Sequence, residues 1–180
     1  MKKLSVLFIA VLMSLSMLVA CGGSGDQNTE DKGNQGTTNN ETNNQKENNS
    51  YVFKLNGTDV QINAGWADIY AKLGKEDSYF ESNSCAFQGL DKVYTYGSVV
   101  IQTYPINEVD YVYSIELKDD TVETPEGLYI GSTKADVEKI YGTPADQTDS
   151  AYIYKQGESQ LNIMFMGDEV VSIVYVSISE

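Results

Sequence analysis

The chain of 180 residues contains no histidine, and all twelve of its basic residues are lysine. Without imidazole, Ser-His-Asp and Cys-His nucleophilic catalysis are excluded. Neither G-x-S-x-G nor S-x-x-K occurs after the leader, so two further serine-nucleophile signatures are missing. Zinc would have to be held by carboxylates and one thiol, an unsuitable donor set. The lysines face 26 acidic residues, for a net charge of −14. That balance argues against nucleic acid and against docking on anionic lipid through a basic face. Cysteine is nearly absent as well, with only Cys21 and Cys85.

What is present begins with a leader. Lys2 and Lys3 precede an apolar run, Leu4 to Met17, interrupted only by serines, and then "LVAC" ending at Cys21. A charged n-region, an apolar h-region and a small residue before the cut describe a secretory signal over residues 1–20. The run is shorter than the roughly 20 residues that a membrane span needs. The cysteine after the small residue resembles the bacterial lipobox. That resemblance implies diacylglyceryl transfer to Cys21 and cleavage before it, leaving Cys85 as the lone thiol and no intrachain disulfide. Cleavage removes Lys2 and Lys3 and deepens the negative charge by two. Residues 22–50 carry no apolar side chain larger than a threonine methyl. Such a segment cannot offset its ordering entropy and is expected to stay disordered. As a tether it would reach roughly 30 Å. Residues 51–180 then form one globular domain of ordinary size.

"GLYIGSTKADVEKIYGTP", residues 127–144, raises the question of a phosphate-binding loop. A second stretch answers it. "INAGWADIYAKLG" (62–74) matches "IGSTKADVEKIYG" (130–142) at Ile62/Ile130, Ala67/Ala135, Asp68/Asp136 and Gly74/Gly142. "YTY" (94–96) similarly matches "YIY" (152–154). Two tandem copies are expected, at about 51–119 and 120–180, with ten extra residues after the first helix. In the second, Ser132 is the candidate N-cap of a helix near 133–141, stopped by Gly142 and Pro144. Asn63 and Gly74 take those places in the first. The glycines therefore bound short helices, and Ser-Thr precedes Lys134, the reverse of the phosphate-loop order.

Strands should follow. Asn56-Gly57 between alternating runs in 52–62 predicts a hairpin with a type I′ turn. Runs 99–104 with 111–117, and 159–165 with 170–178, predict two more. Alternation turns Tyr111, Tyr113, Ile115, Leu117, Leu161, Ile163, Phe165, Val171, Ile173 and Tyr175 inward. The opposite face would show Gln102, Tyr104, Ser114, Glu116, Asn162, Met164, Ser172 and Val174, a mixed and nearly uncharged surface. The expected fold class is α+β: two helix-plus-antiparallel-sheet repeats with short helices on one face of the sheet.

Chemistry-bearing residues are sparse. Asp119, Asp120, Glu123 and Glu126 are hard oxygen donors that would suit Ca²⁺. They lack the D-x-[DN]-x-[DN]-G pattern and read more simply as a polar turn, so no metal or cofactor is expected. Cys85 sits in the connector 75–91 with no adjacent cation to form a thiolate, and reads as a buried small hydrophobe packed with Phe80 and Phe87. The connector should fold back on the domain, leaving Tyr79 or Glu81 at the rim of the open face. All 13 tyrosines lie within 51–180. Those left on a face would offer stiff, amphipathic contact area.

Gly127, Gly131, Thr133, Val137, Gly142 and Pro144 spell G-[LI]-x-x-G-x-[ST]-x-x-x-V-x-x-x-x-G-x-P, with a weaker copy at 62–74. This pattern resembles the β-lactamase-inhibitor-protein-like fold and the small outer-membrane lipoproteins of the SmpA/OmlA type. "SCAFQGLDKVYTYG" and "TPEGLYIGS" resemble surface lipoproteins of Firmicutes. The resemblance implies a protein-binding sheet face. Together these readings describe a non-enzymatic binding module. It would be lipid-anchored through Cys21 on the outer face of a Gram-positive cytoplasmic membrane, with a protein or an envelope polymer as partner. The competing reading is a small-ligand or Ca-binding lipoprotein, or a thiol enzyme using Cys85.

Overall fold

The structure is a computed structural model that describes residues 49–179. Cys21, the leader and nearly all of the tether lie outside the described residues.

The chain opens with the expected hairpin, β1 (Val52–Leu55) and β2 (Thr58–Gln61), paired antiparallel. Asn56 and Gly57 both take positive φ, 50° and 81°, as a type I′ turn requires. Helix α1 (Trp66–Leu73) follows, then β3 (Ser78–Asn83), β4 (Leu90–Tyr96), β5 (Val99–Ile106) and β6 (Val109–Leu117). Helix α2 (Lys134–Tyr141) leads into β7 (Asp146–Thr148), β8 (Ala151–Gln156), β9 (Ser159–Met166) and β10 (Glu169–Ser177). β3 to β10 make one antiparallel sheet in the order β3-β4-β5-β6-β10-β9-β8-β7.

This corrects the expected fold class. Among the described residues the protein is mostly β, 52% strand against 12% helix, rather than α+β, and it is not a pair of helix-plus-sheet repeats at 51–119 and 120–180. One eight-stranded sheet runs through both stretches, joined where β6 pairs β10 (Ile115 with Tyr175, Leu117 with Ile173). The matches that prompted the repeat include Gly74 and Gly142, the residues after the two helices. Stop signals of that kind belong to any short capped helix and do not define a folding unit.

One core lies on one side of the sheet. Val99, Ile101, Ile115, Leu117, Leu161, Ile163 and Ile173 project from the strands and are fully buried. The hairpin covers them with Phe53, Leu55, Val60 and Ile62, α1 with Trp66 and Ile69, and α2 with Val137. Helices of eight residues are marginal alone, so this burial is what holds them. Two tyrosines tie the helix ends to the sheet: Tyr96 donates to the Gly74 carbonyl (2.9 Å) and Tyr154 to that of Gly142 (3.0 Å).

Where the chain comes in at residue 49 it passes under the β8–β9 turn. Gly157 there has φ of +56°, and a Cβ on it would stand 2.6 Å from the Asn49 carbonyl oxygen, so no other residue fits. Tyr51 N–H then donates to Ser159 Oγ (2.8 Å), while the Tyr51 carbonyl accepts from Ile62 N–H (3.0 Å).

Two irregularities overturn parts of the face assignment. A register shift between Gln102 and Thr103 on β5 sets Val112 into the core and leaves Tyr113 40% exposed. A second between Val170 and Ser172 buries Val170 and exposes Val171. One extra residue flips every side chain beyond it, which simple alternation does not anticipate. The caps also differ: α2 starts at Thr133, not Ser132, and α1 at Gly65, not Asn63.

Candidate functional site

The side of the sheet away from the helices is covered by neither helix nor hairpin, and only the loop after β3 lies over part of it. Cross-strand register puts Phe80, Val93, Gln102, Ser114, Val176 and Gln160 in one row across it. A second row runs through Thr95, Val100, Glu116, Val174, Asn162 and Ile153, and Ser172 pairs Met164 beyond it. Gln102, Glu116, Asn162, Met164, Ser172 and Val174 are thus brought onto one surface, partly or fully exposed. Glu116 is engaged by Lys118 (2.7 Å). Tyr104 and Ser114 are buried rather than displayed.

Tyr104 is covered by the loop after β3. Ser84 N–H donates to the Gly89 carbonyl (3.0 Å), and Ser84 Oγ accepts from Phe87 N–H (3.2 Å), so the chain curls back over the sheet. Gly89 lets the loop approach β5: a Cβ there would lie 2.9 Å from the Pro105 ring. The Phe87 ring sits 5.1 Å from that of Tyr104, and Tyr113 meets Tyr104 edge-on at 5.8 Å. Between them is a cavity of 220 Å³ whose walls include Phe87, Tyr104, Tyr113, Val93, Gln102 and Cys85. It is smaller than the roughly 300 Å³ at which small-molecule sites begin, so it suits one inserted side chain better than a free ligand.

The connector 75–91 differs from expectation. Its first half is strand β3 rather than a structureless span, and Cys85 is exposed, not buried with Phe80 and Phe87. Tyr79 and Glu81 do not reach the rim of the open face. They point to the helix side, where Tyr79 packs on Tyr94 (5.1 Å) and its hydroxyl donates to the Glu81 carboxylate. Desolvation and that hydrogen bond push the Tyr79 phenol well above its ordinary range. The residue presented to the open face is Phe80, 64% exposed. It was missed because an edge strand bare on both faces has no burial pattern to read.

Other chemistry is thin. Lys92, which lines the cavity beside Cys85, is paired with Asp110 (2.6 Å), so its charge is already engaged rather than free to form a thiolate. Asp119 accepts from Ser98 Oγ and Thr121 Oγ1 (both 2.5 Å), which hold its carboxyl below the usual range and close a turn. Glu126 accepts from the Tyr141 hydroxyl (2.7 Å), and Glu123 bridges Tyr129 through the backbone. Asp119, Asp120, Glu123 and Glu126 are not assembled around one point: among the described residues no three His, Cys, Asp or Glu side chains gather as metal ligands. Asn63, expected as a cap, is instead a left-handed residue (φ 67°) whose amide donates to the Glu158 carbonyl (3.0 Å) and whose Oδ1 accepts from Ser179 Oγ (3.2 Å). Among the described residues, no helix is long and apolar enough to cross a membrane.

No family model matches the chain, and no curated protein does. Among solved structures, the crystal structure of a cysteine-rich secretory protein from Staphylococcus aureus subsp. aureus Mu50 is similar at a TM-score of 0.44 and 12% identity. The match covers 64% of this chain and 44% of that one, so the chain spans less than half the length of that protein. A likeness at this level carries no argument about fold or activity.

Proposed function

We propose that this protein is a non-enzymatic binding module of the bacterial cell envelope that uses the open face of its sheet to hold a protein or an envelope polymer. The supporting observation is the one-sided core. Both helices and the β1–β2 hairpin pack on one side of the sheet, while the other side, apart from the loop over Tyr104, is left uncovered and carries Phe80, Tyr113, Met164 and Met166 exposed. Exposed apolar patches rimmed by polar groups mark interaction sites on soluble domains. Stiff aromatics beside adaptable polar groups such as Gln102, Asn162 and Ser172 give a surface of the kind that interfaces favour. Lipid attachment at Cys21, by the lipobox resemblance, would hold the module at the outer face of the membrane, as in surface lipoproteins of Firmicutes. The strongly acidic composition fits attachment by lipid rather than by charge.

The test is site-specific photo-crosslinking in cells. Photoreactive residues at Gln102 and Ser172 should yield discrete adducts, whereas one at Lys72, on the exposed side of α1, should yield none. Equal labelling at Lys72, or no adduct at either open-face position, would overturn the proposal.

A further inference from the structure

The two borders of the sheet are unlike. β7 is three residues long, and short edge strands resist pairing. β3 is six residues, fully exposed, free of lysine and proline, and in register with β4 from end to end without a bulge. Its one protection is the charge of Glu81, which lies on the helix side of the strand. Ser84 N–H donates inward to the Gly89 carbonyl, so by strand alternation Phe80 and Ser82 also bond inward. Tyr79, Glu81 and Asn83 then direct their backbone N–H and C=O groups out to the free border.

We infer that β3 pairs antiparallel with β3 of a second copy of this chain, about a two-fold axis through Phe80, extending the sheet from eight to sixteen strands.

The strand "SYFES", Ser78–Ser82, is self-complementary about Phe80. In this register Tyr79 and Glu81 of each copy face one another as hydrogen-bonded pairs, using the outward backbone groups. Phe80 meets Phe80 as a non-hydrogen-bonded pair, the kind in which side chains come closest. Ser78 faces Ser82, and the pairing ends there, because Asp77 turns its N–H inward to the Thr95 carbonyl (2.8 Å). The two neighbouring registers that also use the outward groups each oppose like charges. An axis at Glu81 sets Glu81 against itself, and one at Tyr79 sets Glu81 against Asp77, whose N–H is already bonded inward to the Thr95 carbonyl (2.8 Å), so that register also loses a rung. Like charges directly opposite destabilise a pair, so the Phe80 register stands apart. An unrelated extended peptide could use the same border, but nothing in its sequence would have to mirror this strand.

The full-length protein is tested in its native membrane with Cys85→Ser as the parent. Phe80→Cys in that parent should give a disulfide-linked dimer under mild oxidation, since only a residue on the axis meets itself. Ser82→Cys should give none, and Ser78→Cys with Ser82→Cys together should. Glu81→Pro removes an outward N–H without touching the β4 ladder, where edge proline is tolerated. It should abolish the Phe80→Cys dimer while circular dichroism stays unchanged. Equal crosslinking at positions 80 and 82, absence at 80, or a dimer that survives Glu81→Pro would each overturn the inference.

Discussion

The β3–β6 and β7–β10 arms of the sheet follow the same strand order outward from the β6–β10 seam, yet their helices are secured by different means. Helix α1 has no side-chain cap at Gly65 and is held by burying Trp66 and Ile69. Helix α2 buries only Val137 but carries a reciprocal cap, in which Thr133 Oγ1 accepts from Asp136 N–H and Asp136 accepts from Thr133 N–H. Both helices depend on packing, but the further support comes from a larger buried face in α1 and from a cap in α2. The arms also differ at their borders: the first ends in a bare six-residue strand with a loop folded over the open face, the second in three residues. Both arms contribute to the open face, and the first adds to it a covering loop and a longer bare border.

Truncating the buried face of α1 should have the largest effect on that contrast. Trp66→Ala is expected to lose about 3–5 kcal/mol in chemical denaturation, and Val137→Ala distinctly less. Equal losses would show that α2 also depends on its face.

The shared tyrosine ties should behave alike in both arms. Burial, with Glu76 nearby, pushes Tyr96 up to about 12 from 10.0. Burial, with Tyr152 and Glu138 nearby, does the same for Tyr154. The folded chain then keeps protons that the unfolded chain releases, so this stabilisation is full below pH 10 and is lost as pH rises through about 12. Tyr96→Phe and Tyr154→Phe should each cost about 1 kcal/mol near neutral pH. Each should also flatten the alkaline loss of stability to a similar degree. A flattening from only one of them would separate the arms.

Thr133→Ala should destabilise by about 1 kcal/mol through loss of the cap. The Thr133 hydrogen bonds hold the Asp136 carboxyl below its ordinary 3.8, so the cap's contribution is present above that pH and fades as pH falls. An unchanged acid limb in Thr133→Ala would contradict this. The smallest effect is a gain. Gly65 has φ of −60° and open space where a Cβ would go. Gly65→Ser should therefore add a few tenths of a kcal/mol by giving α1 the cap it lacks. No gain in melting temperature would mean that α1 is limited wholly by its packing.

Much of the strand content could be read from alternation, because a half-buried strand prints its two faces on the sequence. The Asn56-Gly57 turn and the stops at Gly74 and Gly142 were legible for a similar reason: each is a local conformational demand that few residues meet. The join of β6 to β10 was not, since no short-range pattern encodes which strands lie side by side. Tyr113 and Val171 were misplaced by register shifts that add a residue without a composition signal. β3 escaped notice because its hydrogen bonds come from β4, and neither of its faces is covered. Of the candidate face, Gln102, Glu116, Asn162, Met164, Ser172 and Val174 share the open side of the sheet because alternation carries them there, while Tyr104 lies under a loop that approaches Pro105 at Gly89, and Ser114 is buried.

The path of the chain at residue 49 has a mechanical consequence. A pull on the chain ahead of residue 49 arrives first at Ser50, which is buried and accepts from the Gln61 and Asn63 side chains (3.3 and 3.4 Å), and then at Tyr51, at the open end of the β1–β2 hairpin, where Ser159 Oγ and Ile62 hold it. Ile62 is followed at once by Asn63, whose N–H is fastened to the Val112 carbonyl (2.9 Å). Tension therefore strains the hairpin's rungs in sequence, from Val52–Gln61 toward Leu55–Thr58, instead of all together in shear. Under such a load the short hairpin would yield as a zipper, before the longer strands of the sheet part from one another.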